Sequence, residues 1–340
     1  MEETIFPDSH YIYDKANFKK AIAGASDDLR KGYQEDVRSK VNSYVKKYKK
    51  VIMCGMGGSG ICADMLKVYL AEEVEIISNK TYSLPLNIDR ENDLVIISSY
   101  SGNTEEALHC YKEAKRLEVA IIAVTSGGKL KSQADLANYP VIKLPDGYQP
   151  RAALSYSFAI ILKIFEELSI IKNKETQLAS LIEYLSKQNT QKVAIELAQK
   201  IGSKTPLIYA SSKYSQIAYR WRTQFNENSK ILAFNNQIPE VNHNELNAFV
   251  NRYEKYHAIF LSYDDDFSRI KKRMKLTKDI MAASGVSVTE LEVKGTLLNK
   301  IFSSIMLGDW TSYYLALLLE TEPSNVKIIE KFKRDMGPHL

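Results

Sequence analysis

The chain carries an apolar run, Lys50-Val51-Ile52-Met53, that ends in the glycine-rich loop Cys54-Gly55-Met56-Gly57-Gly58-Ser59-Gly60. A second apolar run, Asp93–Ile97, ends in Ser98-Ser99-Tyr100-Ser101-Gly102-Asn103-Thr104, and a helical pattern follows each loop. Backbone N–H groups at a helix start, beside glycine and hydroxyl residues, form a site for an anion. Two such loops from one sheet can converge on one phosphate, which predicts a phosphorylated small molecule as the ligand. The residues that we expect to bind the phosphate are Gly58, Ser59, Ser99, Ser101 and Thr104.

Strand-like apolar runs alternate with helical patterns along most of the chain. The predicted strands of the amino-terminal half are Val51–Cys54, Val74–Ser78, Asp93–Ser98, Ala120–Thr125 and Val141–Leu144. Those of the carboxyl-terminal half are Pro206–Ala210, Lys230–Phe234, His257–Ser262 and Val286–Glu292. Strands that alternate with helices predict a mainly parallel sheet with helices on both faces. The sequence therefore predicts an α/β protein with two doubly wound domains. We place the first at residues 1–152, and a linker helix with the second at residues 153–340.

Two helical segments and one turn are also predicted from the sequence. The pattern over Asn17–Lys47 is helical, and a helix is predicted over Gln216–Glu227. Between the fourth and fifth strands, Gly127-Gly128 is predicted as a turn.

The composition excludes several classes of protein. Hydrophobic residues make up 45% of the chain, which is enough for buried cores and unlike a disordered protein. The net charge of +5 is too small to indicate a nucleic-acid partner. No apolar run reaches the roughly 20 residues needed to span a bilayer. Three cysteines without a CxxC pair, and an amino terminus without a signal pattern, predict a reducing, cytoplasmic location.

The first glycine loop has other interpretations. Gly55, Gly57 and Gly60 match the dinucleotide fingerprint GxGxxG, which calls for an acidic residue at the end of the next strand. That strand instead runs into Asn79-Lys80, so the match has little weight. Glycines required only for a tight turn would leave the hydroxyl groups of the second loop unexplained. A Walker motif is absent, because no Gly-Lys-Ser/Thr closes either loop.

Several segments together resemble a known family. Gly-Gly-Ser after the first strand and Ser-x-Ser-Gly-Asn-Thr-Glu-Glu after the third resemble a sugar-isomerase (SIS) domain. Three further segments are Pro150-Arg151-Ala152-Ala153, Gln224-Phe225-Asn226-Glu227-Asn228-Ser229-Lys230 and Pro239-Glu240-Val241-Asn242-His243-Asn244-Glu245. In this order and spacing, the segments resemble the bifunctional phosphoglucose/phosphomannose isomerase family over nearly the whole chain. The resemblance implies two SIS-like domains and a homodimer whose active site lies at the subunit interface.

The resemblance also implies roles for three side chains. Glu227 matches the family's carbon base, and His243 matches the acid and base that open the sugar ring. Arg151 matches the cation that stabilises the enediolate, because a guanidinium holds its charge without giving up a proton. Taken singly, each would be interpreted as a surface or structural residue, and only their joint occurrence favours catalysis. This mechanism requires no metal and no cofactor, since the base and the cation come from the protein.

A lysine near the carboxyl terminus completes the implied site. Pro323-Ser324-Asn325-Val326 resembles the family's Pro-Thr-Pro-Val, and counting from it gives Lys333 as a substrate-binding residue that assists ring opening. Lys331 is the alternative at this position.

The expected activity is that of an aldose–ketose isomerase. It would interconvert glucose 6-phosphate and mannose 6-phosphate with fructose 6-phosphate by ring opening and enediolate proton transfer. One alternative is a sugar-phosphate regulator without catalysis, because SIS domains also occur in regulators. Another alternative is a different sugar-phosphate enzyme, such as an amino-sugar isomerase. In each case the expected partner is a hexose phosphate, with no nucleic acid and no membrane.

Overall fold

The computed structural model describes residues 6–337, which form two compact units. One unit comprises residues 23–186, and the other comprises residues 6–22 and 187–337. Each unit contains one parallel sheet flanked by helices, so the predicted α/β architecture with two sheets is confirmed. The predicted domain boundary at residues 152–153 lies inside the first of these units.

The unit of residues 23–186 is built on a five-stranded parallel sheet in the order β2-β1-β3-β4-β5. Its strands are β1 (Lys50–Cys54), β2 (Glu75–Asn79), β3 (Asp93–Ser98), β4 (Ala120–Thr125) and β5 (Val141–Lys143). Its helices are α2 (Ala25–Gln34), α3 (Arg38–Val41), α4 (Gly57–Tyr69), α5 (Glu105–Arg116), α6 (Gly128–Leu136), α7 (Leu154–Glu167) and α8 (Glu175–Ser186). The preceding helix, α1 (Phe18–Ala23), belongs to the other unit except for its last residue. Every residue of β1 and β3 is buried, as the unbroken apolar runs require of strands covered on both faces.

The helix that the sequence analysis treated as a linker belongs to the first unit. Nearly all of α7 is buried, and it packs against α2 and α4. The Tyr33 hydroxyl donates to the Glu166 carboxylate at 2.8 and 2.9 Å, which joins α2 to α7. Burial of this apolar helix against two neighbours explains why the unit extends well beyond its last strand.

The second unit contains a four-stranded parallel sheet in the order β7-β6-β8-β9. Its strands are β6 (Thr205–Ser211), β7 (Phe234–Ile238), β8 (Tyr256–Tyr263) and β9 (Ser287–Val293). Its helices are α9 (Thr190–Ile201), α10 (Ser215–Gln224), α11 (Ser268–Ala283), α12 (Leu297–Leu318) and α13 (Lys327–Asp335). The strand order matches the first four positions of the larger sheet, with β6 and β8 in the places of β1 and β3.

The predicted strand Lys230–Phe234 is wrong, because the strand runs over Phe234–Ile238 instead. Lys230 has a left-handed backbone with φ of 57°, and the Asn226 side chain donates to the Ile231 carbonyl at 2.8 Å. These features hold the segment before β7 in a turn, so its apolar residues do not enter the sheet.

Two helical predictions also differ from the structure. The helical pattern over Asn17–Lys47 is divided into three short helices, α1 to α3. The chain leaves the helical conformation at Glu35, whose carboxylate accepts a hydrogen bond from Tyr156 of α7. In addition, Gly128 is the first residue of α6, where the sequence indicated only a turn. A tertiary contact in one case and an unusual glycine start in the other explain these differences.

Candidate active site

The first glycine loop follows β1, and there is no room for a side chain at its glycine Gly55. A Cβ atom on Gly55 would lie 2.6 Å from the Ser98 carbonyl oxygen and 2.9 Å from Cβ of Ser59. The next residue, Met56, is extended, and α4 begins at Gly57. The start of α4 therefore lies at the loop, with Gly58 and Ser59 half-buried there, and the Ser59 backbone N–H donates to the Met56 carbonyl at 3.1 Å.

The second loop presents hydroxyl groups at the start of α5. Ser101 is exposed, and its Oγ accepts a hydrogen bond from the Asn103 backbone N–H at 3.2 Å. Ser99 is buried, and its Oγ lies 2.9 Å from Oγ1 of Thr104, to which it donates. Thr104 precedes the first turn of α5 and is half-buried. Ser101 and Thr104 thus face the loop surface, whereas Ser99 holds Thr104 in place.

The loop after β4 supports the second loop from behind. Gly102 has φ of +64°, and a Cβ atom there would lie 1.8 Å from the Gly127 carbonyl oxygen. The Leu130 backbone N–H donates to the Gly102 carbonyl at 2.9 Å. Only glycine can occupy position 102, because both the backbone conformation and the close approach exclude a side chain.

Both loops emerge at the same edge of the sheet. β1 and β3 are parallel neighbours, and Cys54 pairs with Ile97 just before the loops begin. The structure therefore brings Gly58, Ser59, Ser99, Ser101 and Thr104 to one carboxyl edge. This is the place where open parallel sheets bind ligands.

The segment that carries Arg151 lies directly on this edge. A Cβ atom on Gly58 would lie 2.8 Å from the Pro150 carbonyl oxygen and 3.2 Å from Cα of Arg151. Arg151 itself is 3% exposed, although it carries a positive charge. The glycine at position 58 is thus required for close packing between the first loop and the Arg151 segment.

A chain of hydrogen bonds attaches the Arg151 segment to the rest of its unit. The Tyr148 backbone N–H donates to the Tyr100 hydroxyl at 2.8 Å, and that hydroxyl donates to the Pro145 carbonyl at 2.8 Å. The Tyr148 hydroxyl donates to Oδ1 of Asp28 in α2 at 2.5 Å. Burial and the neighbouring Asp28 carboxylate raise the pKa of Tyr148, which keeps this donor protonated. The sequence analysis did not identify Asp28 or Tyr148, because neither stands near a recognisable motif.

Glu227 lies in a wide, π-helical turn that ends α10. The Asn228 side chain donates to Oγ of Ser312 in α12 at 2.9 Å, and the Ser229 hydroxyl donates to the Ser312 carbonyl at 2.6 Å. The Lys230 ammonium group closes the turn on the Glu227 carbonyl at 2.5 Å. The two residues that follow the half-buried glutamate are therefore fixed to α12, and turns of this kind are frequent at functional sites.

His243 lies on a short helical turn after β7, at the opposite end of that strand from Glu227. Its side chain is exposed, and no hydrogen bond or ion pair of the ring occurs within residues 6–337. Glu227 precedes the amino end of β7, and His243 follows its carboxyl end. The five residues of β7 alone span about 13 Å. The fold therefore separates the two side chains within one chain rather than bringing them together.

Lys333 and its alternative both lie on α13, and both are exposed. Lys331 forms an ion pair with Asp335 one turn later, with Nζ 2.5 Å from Oδ2. The Lys230 ammonium group donates to the Pro323 carbonyl at 3.0 Å, which attaches the segment before α13 to the Glu227 turn. This contact connects the two motifs, but it leaves the choice between the two lysines a prediction.

The corresponding edge of the second sheet is occupied by the protein's own charges. Nζ of Lys300 lies 2.5 Å from Oδ1 of Asp264 and 2.9 Å from Oδ1 of Asp265. Asp265 also accepts hydrogen bonds from Lys213 at 2.6 Å and from the Tyr214 hydroxyl at 2.9 Å. Burial alone would raise the pKa of Asp265, but these hydrogen bonds hold it well below its usual value. An anion would meet carboxylates at this edge rather than open donors.

Three further properties concern cofactors and location. The three cysteines, Cys54, Cys62 and Cys110, are buried free thiols. Over the part of the chain that the structure describes, no group of three His, Cys, Asp or Glu side chains is arranged to hold a metal ion. In that same part, no helix combines the length and the apolar character needed to cross a membrane.

The two units match two protein families. Residues 44–140 match the SIS domain family. Residues 190–336 match the family described as the bacterial phospho-glucose isomerase C-terminal SIS domain. One family thus covers β1 to β4 with the loops after β1 and β3, and the other covers the segments with Glu227 and His243.

Relatives match the chain over most of its length. A bifunctional phosphoglucose/phosphomannose isomerase of Caldicellulosiruptor bescii is 34% identical over 334 residues, which cover 94% of this chain and 98% of that protein. A D-glucosamine-6-phosphate 4-epimerase of Sulfolobus acidocaldarius is 38% identical over 222 residues, which cover 64% of this chain and 70% of that protein. Among solved structures, a hypothetical protein of Thermus thermophilus has a TM-score of 0.73 at 15% identity, with 96% of this chain and 94% of that chain covered. This last likeness concerns the fold alone.

Proposed function

The chain belongs to the bifunctional phosphoglucose/phosphomannose isomerase family, and on that premise we propose that it interconverts glucose 6-phosphate and mannose 6-phosphate with fructose 6-phosphate. The observation that carries the proposal is the packing of the Arg151 segment on Gly58, at the edge where both hydroxyl-lined loops emerge. A site for an anion and a buried cation adjoin there, as a sugar phosphate that develops negative charge would require.

The phosphate group would bind at the two loops. The backbone N–H of Gly58 and the hydroxyl of Ser59 at the start of α4 are neutral donors that suit a dianion. The hydroxyl groups of Ser101 and Thr104 would add donors from the second loop. Ser99 would act by holding Thr104, to which it is hydrogen-bonded at 2.9 Å.

Glu227 would perform the proton transfer between carbons. In the open-chain aldose, its carboxylate removes the proton from C2, and the electron pair forms the C1–C2 double bond of an enediolate. Arg151 stabilises the negative oxygen, and the hydroxyl proton on O2 passes to O1. The carboxylic acid then returns its proton to C1 as the C2 carbonyl forms, which gives the ketose. Glucose and mannose 6-phosphate differ at C2 and share this intermediate, so one base serves both after rotation about the C2–C3 bond.

His243 and Lys333 would act before that step. Ring opening needs a base at the anomeric hydroxyl and an acid at the ring oxygen, and an imidazole exchanges protons near neutral pH. Lys333 would donate a hydrogen bond to the substrate and assist this step, with Lys331 as the alternative.

The separation of Glu227 and His243 along β7 supports a site shared between two chains. The His243 ring is exposed on a firmly attached turn, which suits donation to a neighbouring molecule. We therefore propose a homodimer in which His243 of one chain serves the sugar held by Glu227 of the other. We also propose that the enzyme works in the cytoplasm, where its three buried thiols would remain reduced.

A second candidate activity comes from the relative of Sulfolobus acidocaldarius, which is named a D-glucosamine-6-phosphate 4-epimerase. A 4-epimerase inverts C4, whereas the proposed isomerase moves a proton between C1 and C2. The two activities therefore differ in substrate and in the carbon that exchanges hydrogen with solvent.

The decisive experiment measures turnover with three substrates: glucose 6-phosphate, mannose 6-phosphate and glucosamine 6-phosphate. We expect fructose 6-phosphate from the first two, with deuterium from the solvent at its C1. Glu227→Gln should lower kcat about 10²- to 10⁴-fold, because it removes the general base and keeps the shape. Asn226→Ala, in the same turn, is the control for changes in shape. Turnover of glucosamine 6-phosphate alone would support the epimerase instead, and binding without any turnover would support a regulator.

Mixing two inactive variants tests the shared site. Glu227→Gln and His243→Ala chains, unfolded together and refolded, should regain activity, because mixed dimers contain one site with both native residues. Recovery near a quarter of the wild-type rate is expected for random pairing of two kinds of chain. No recovery, with mixed dimers present by mass spectrometry, would show that each chain builds its own site.

A further inference from the structure

The turn that carries His243 is attached to the second unit in three places. Val241 is fully buried in the cluster that also contains Tyr209 and Phe260. The Asn242 side chain donates to Oγ1 of Thr277 in α11 at 2.8 Å. On the other side of the histidine, Glu245 is half-buried and reaches back towards the sheet.

We propose that Glu245 is a positioning residue that fixes the His243 imidazole for ring opening, an inference that rests on the proposed function. Its carboxylate is held by Tyr209 of β6 and Asn236 of β7, two strands that lie side by side. Glu245 does not need to touch the sugar in this role, because it acts by holding the turn two residues away.

The two partners of Glu245 are themselves rigid. Tyr209 is 1% exposed and stacks on Phe260, with ring centroids 5.0 Å apart. Its hydroxyl donates to one carboxylate oxygen, and the Asn236 side chain donates to the other at 2.6 Å. Burial and the adjacent carboxylate raise the pKa of Tyr209, so the hydroxyl remains a donor over the working range of pH. Hydrogen bonds to a charged acceptor are about twice as strong as neutral ones.

A second hydrogen-bond pair makes the turn stiff between its attachments. The Asn244 side chain accepts from the Glu245 backbone N–H at 2.6 Å and donates to Oε1 of Glu240 at 2.8 Å. The exposed histidine thus lies between a buried valine on one side and, on the other, a glutamate whose carboxylate is hydrogen-bonded to two strands. Loss of the Glu245 contact would leave Phe249 as the next attachment on that side of the turn, while Val241 stays in the core.

Such a loss should affect catalysis more than binding. A displacement of about 1 Å in a catalytic group can cost about 10²-fold in rate. Glu245→Ala should therefore lower kcat about 10- to 100-fold and change KM less than about 3-fold. Tyr209→Phe removes one hydroxyl and keeps the ring, and it should lower kcat about 3- to 10-fold. Glu254→Ala is the matched control, because that exposed glutamate pairs only with the nearby Arg252 among the described residues, and it should leave kcat unchanged.

A double-mutant cycle separates positioning from general damage. If Glu245 acts through His243, Glu245→Ala should cost less than about 2-fold in a His243→Ala background. An equal loss in both backgrounds would overturn the proposal, since the glutamate would then serve the fold or another step. Unfolding midpoints of all variants show whether they fold, and Tyr209→Phe provides the same comparison if Glu245→Ala does not.

Nuclear magnetic resonance of the histidine rings gives a readout that does not depend on turnover. The chain has five histidines, and the His243 signal is identified by its loss in His243→Ala. Glu245→Ala should shift and narrow the His243 signal towards that of a mobile ring, while the other signals stay in place. An unchanged His243 signal would contradict the positioning role. Because this measurement needs no substrate, it tests the role even if the wild-type protein shows no isomerase activity.

Discussion

The carboxyl edges of the two sheets occupy the same place in the fold but differ in chemistry. In the first sheet, the loops after β1 and β3 present glycines, hydroxyl groups and the starts of two helices. In the second sheet, the loops after β6 and β8 contain Lys213, Tyr214, Asp264 and Asp265, which pair with one another and with Lys300. The comparison teaches that strand order sets where a ligand site can form, whereas the loop residues decide whether the edge is open or filled.

The difference also separates binding from stability. An open edge leaves backbone donors unpaired until a ligand arrives, so its residues should matter for affinity. A filled edge satisfies its own charges, so its residues should matter for folding. Each of the following predictions tests one part of this division, in order of decreasing effect.

The largest effect is expected from removing one hydroxyl from each loop of the first sheet. Ser59→Ala and Ser101→Ala should each weaken binding of hexose phosphate about 10-fold or more, because a hydrogen bond to a charged group contributes about 1.5–3 kcal/mol. The double variant should lose about 10²- to 10⁴-fold if the two loops hold one phosphate. Isothermal titration calorimetry with fructose 6-phosphate measures the affinities of the single variants and of the double variant.

The matched control lies in the second sheet. Ser215 is in the first turn of α10, as Ser59 is in the first turn of α4. Ser215→Ala should leave the affinity unchanged. An equal loss in that variant would mean that the two edges do not differ as described.

A buried histidine in the second sheet tests how a positive charge placed there affects the stability of the protein. His257 of β8 is 2% exposed, and Nε2 lies 2.9 Å from Oγ1 of Thr289. Burial, together with the nearby Lys204 and Lys200, lowers the pKa of His257 to about 4. The unfolded chain therefore binds this proton first, so stability falls as the pH drops from about 6.5 to about 4.

His257→Gln should remove that contribution. Between pH 7 and pH 4 the free energy of unfolding of the wild type should fall by up to about 3 kcal/mol more than that of the variant. Urea unfolding at pH 7, 6, 5 and 4 measures how the free energy of unfolding of each protein changes with pH. Parallel slopes would mean that the histidine titrates alike in the folded and unfolded chains.

The smallest effect is expected from the filled edge itself. Asp265→Ala removes the shared partner of Lys300, Lys213 and the Tyr214 hydroxyl. It should lower the free energy of unfolding by about 2 kcal/mol, less than for a fully buried pair because the aspartate is partly solvated. Affinity for fructose 6-phosphate should not change. Asp279→Ala, on the exposed face of α11, is the control, and weaker sugar binding in Asp265→Ala would contradict the division between the edges.

Much of the fold could be predicted because local pattern and tertiary burial agree. The apolar runs of β1, β3 and β4 are buried strands, and the loops after β1 and β3 lie at one edge as expected. The strand β7 was misplaced by four residues, because the left-handed Lys230 and the turn around it depend on contacts with distant segments. Local apolar character cannot reveal such contacts.

Some residues of the candidate site could be chosen from the sequence, and others could not. Gly58 and Arg151 could be chosen from motifs, but their close packing requires the fold. Asp28 and Glu245 were not chosen, because a carboxylate that supports another residue has no spacing that distinguishes it from a surface acid. Their partners, Tyr148 and Tyr209, are distant along the chain and meet them only in the folded state.

The sequence by itself determined the class of fold and the two loops, and it predicted a set of reactive side chains, because periodicity and short motifs are properties of neighbouring residues. Only the tertiary structure decided that one sheet edge is open and the other is filled. The physical reason is that pairing of charges, exclusion of side chains and the direction of a strand depend on residues far apart in the chain. Those residues come within contact distance only when the apolar runs are buried together.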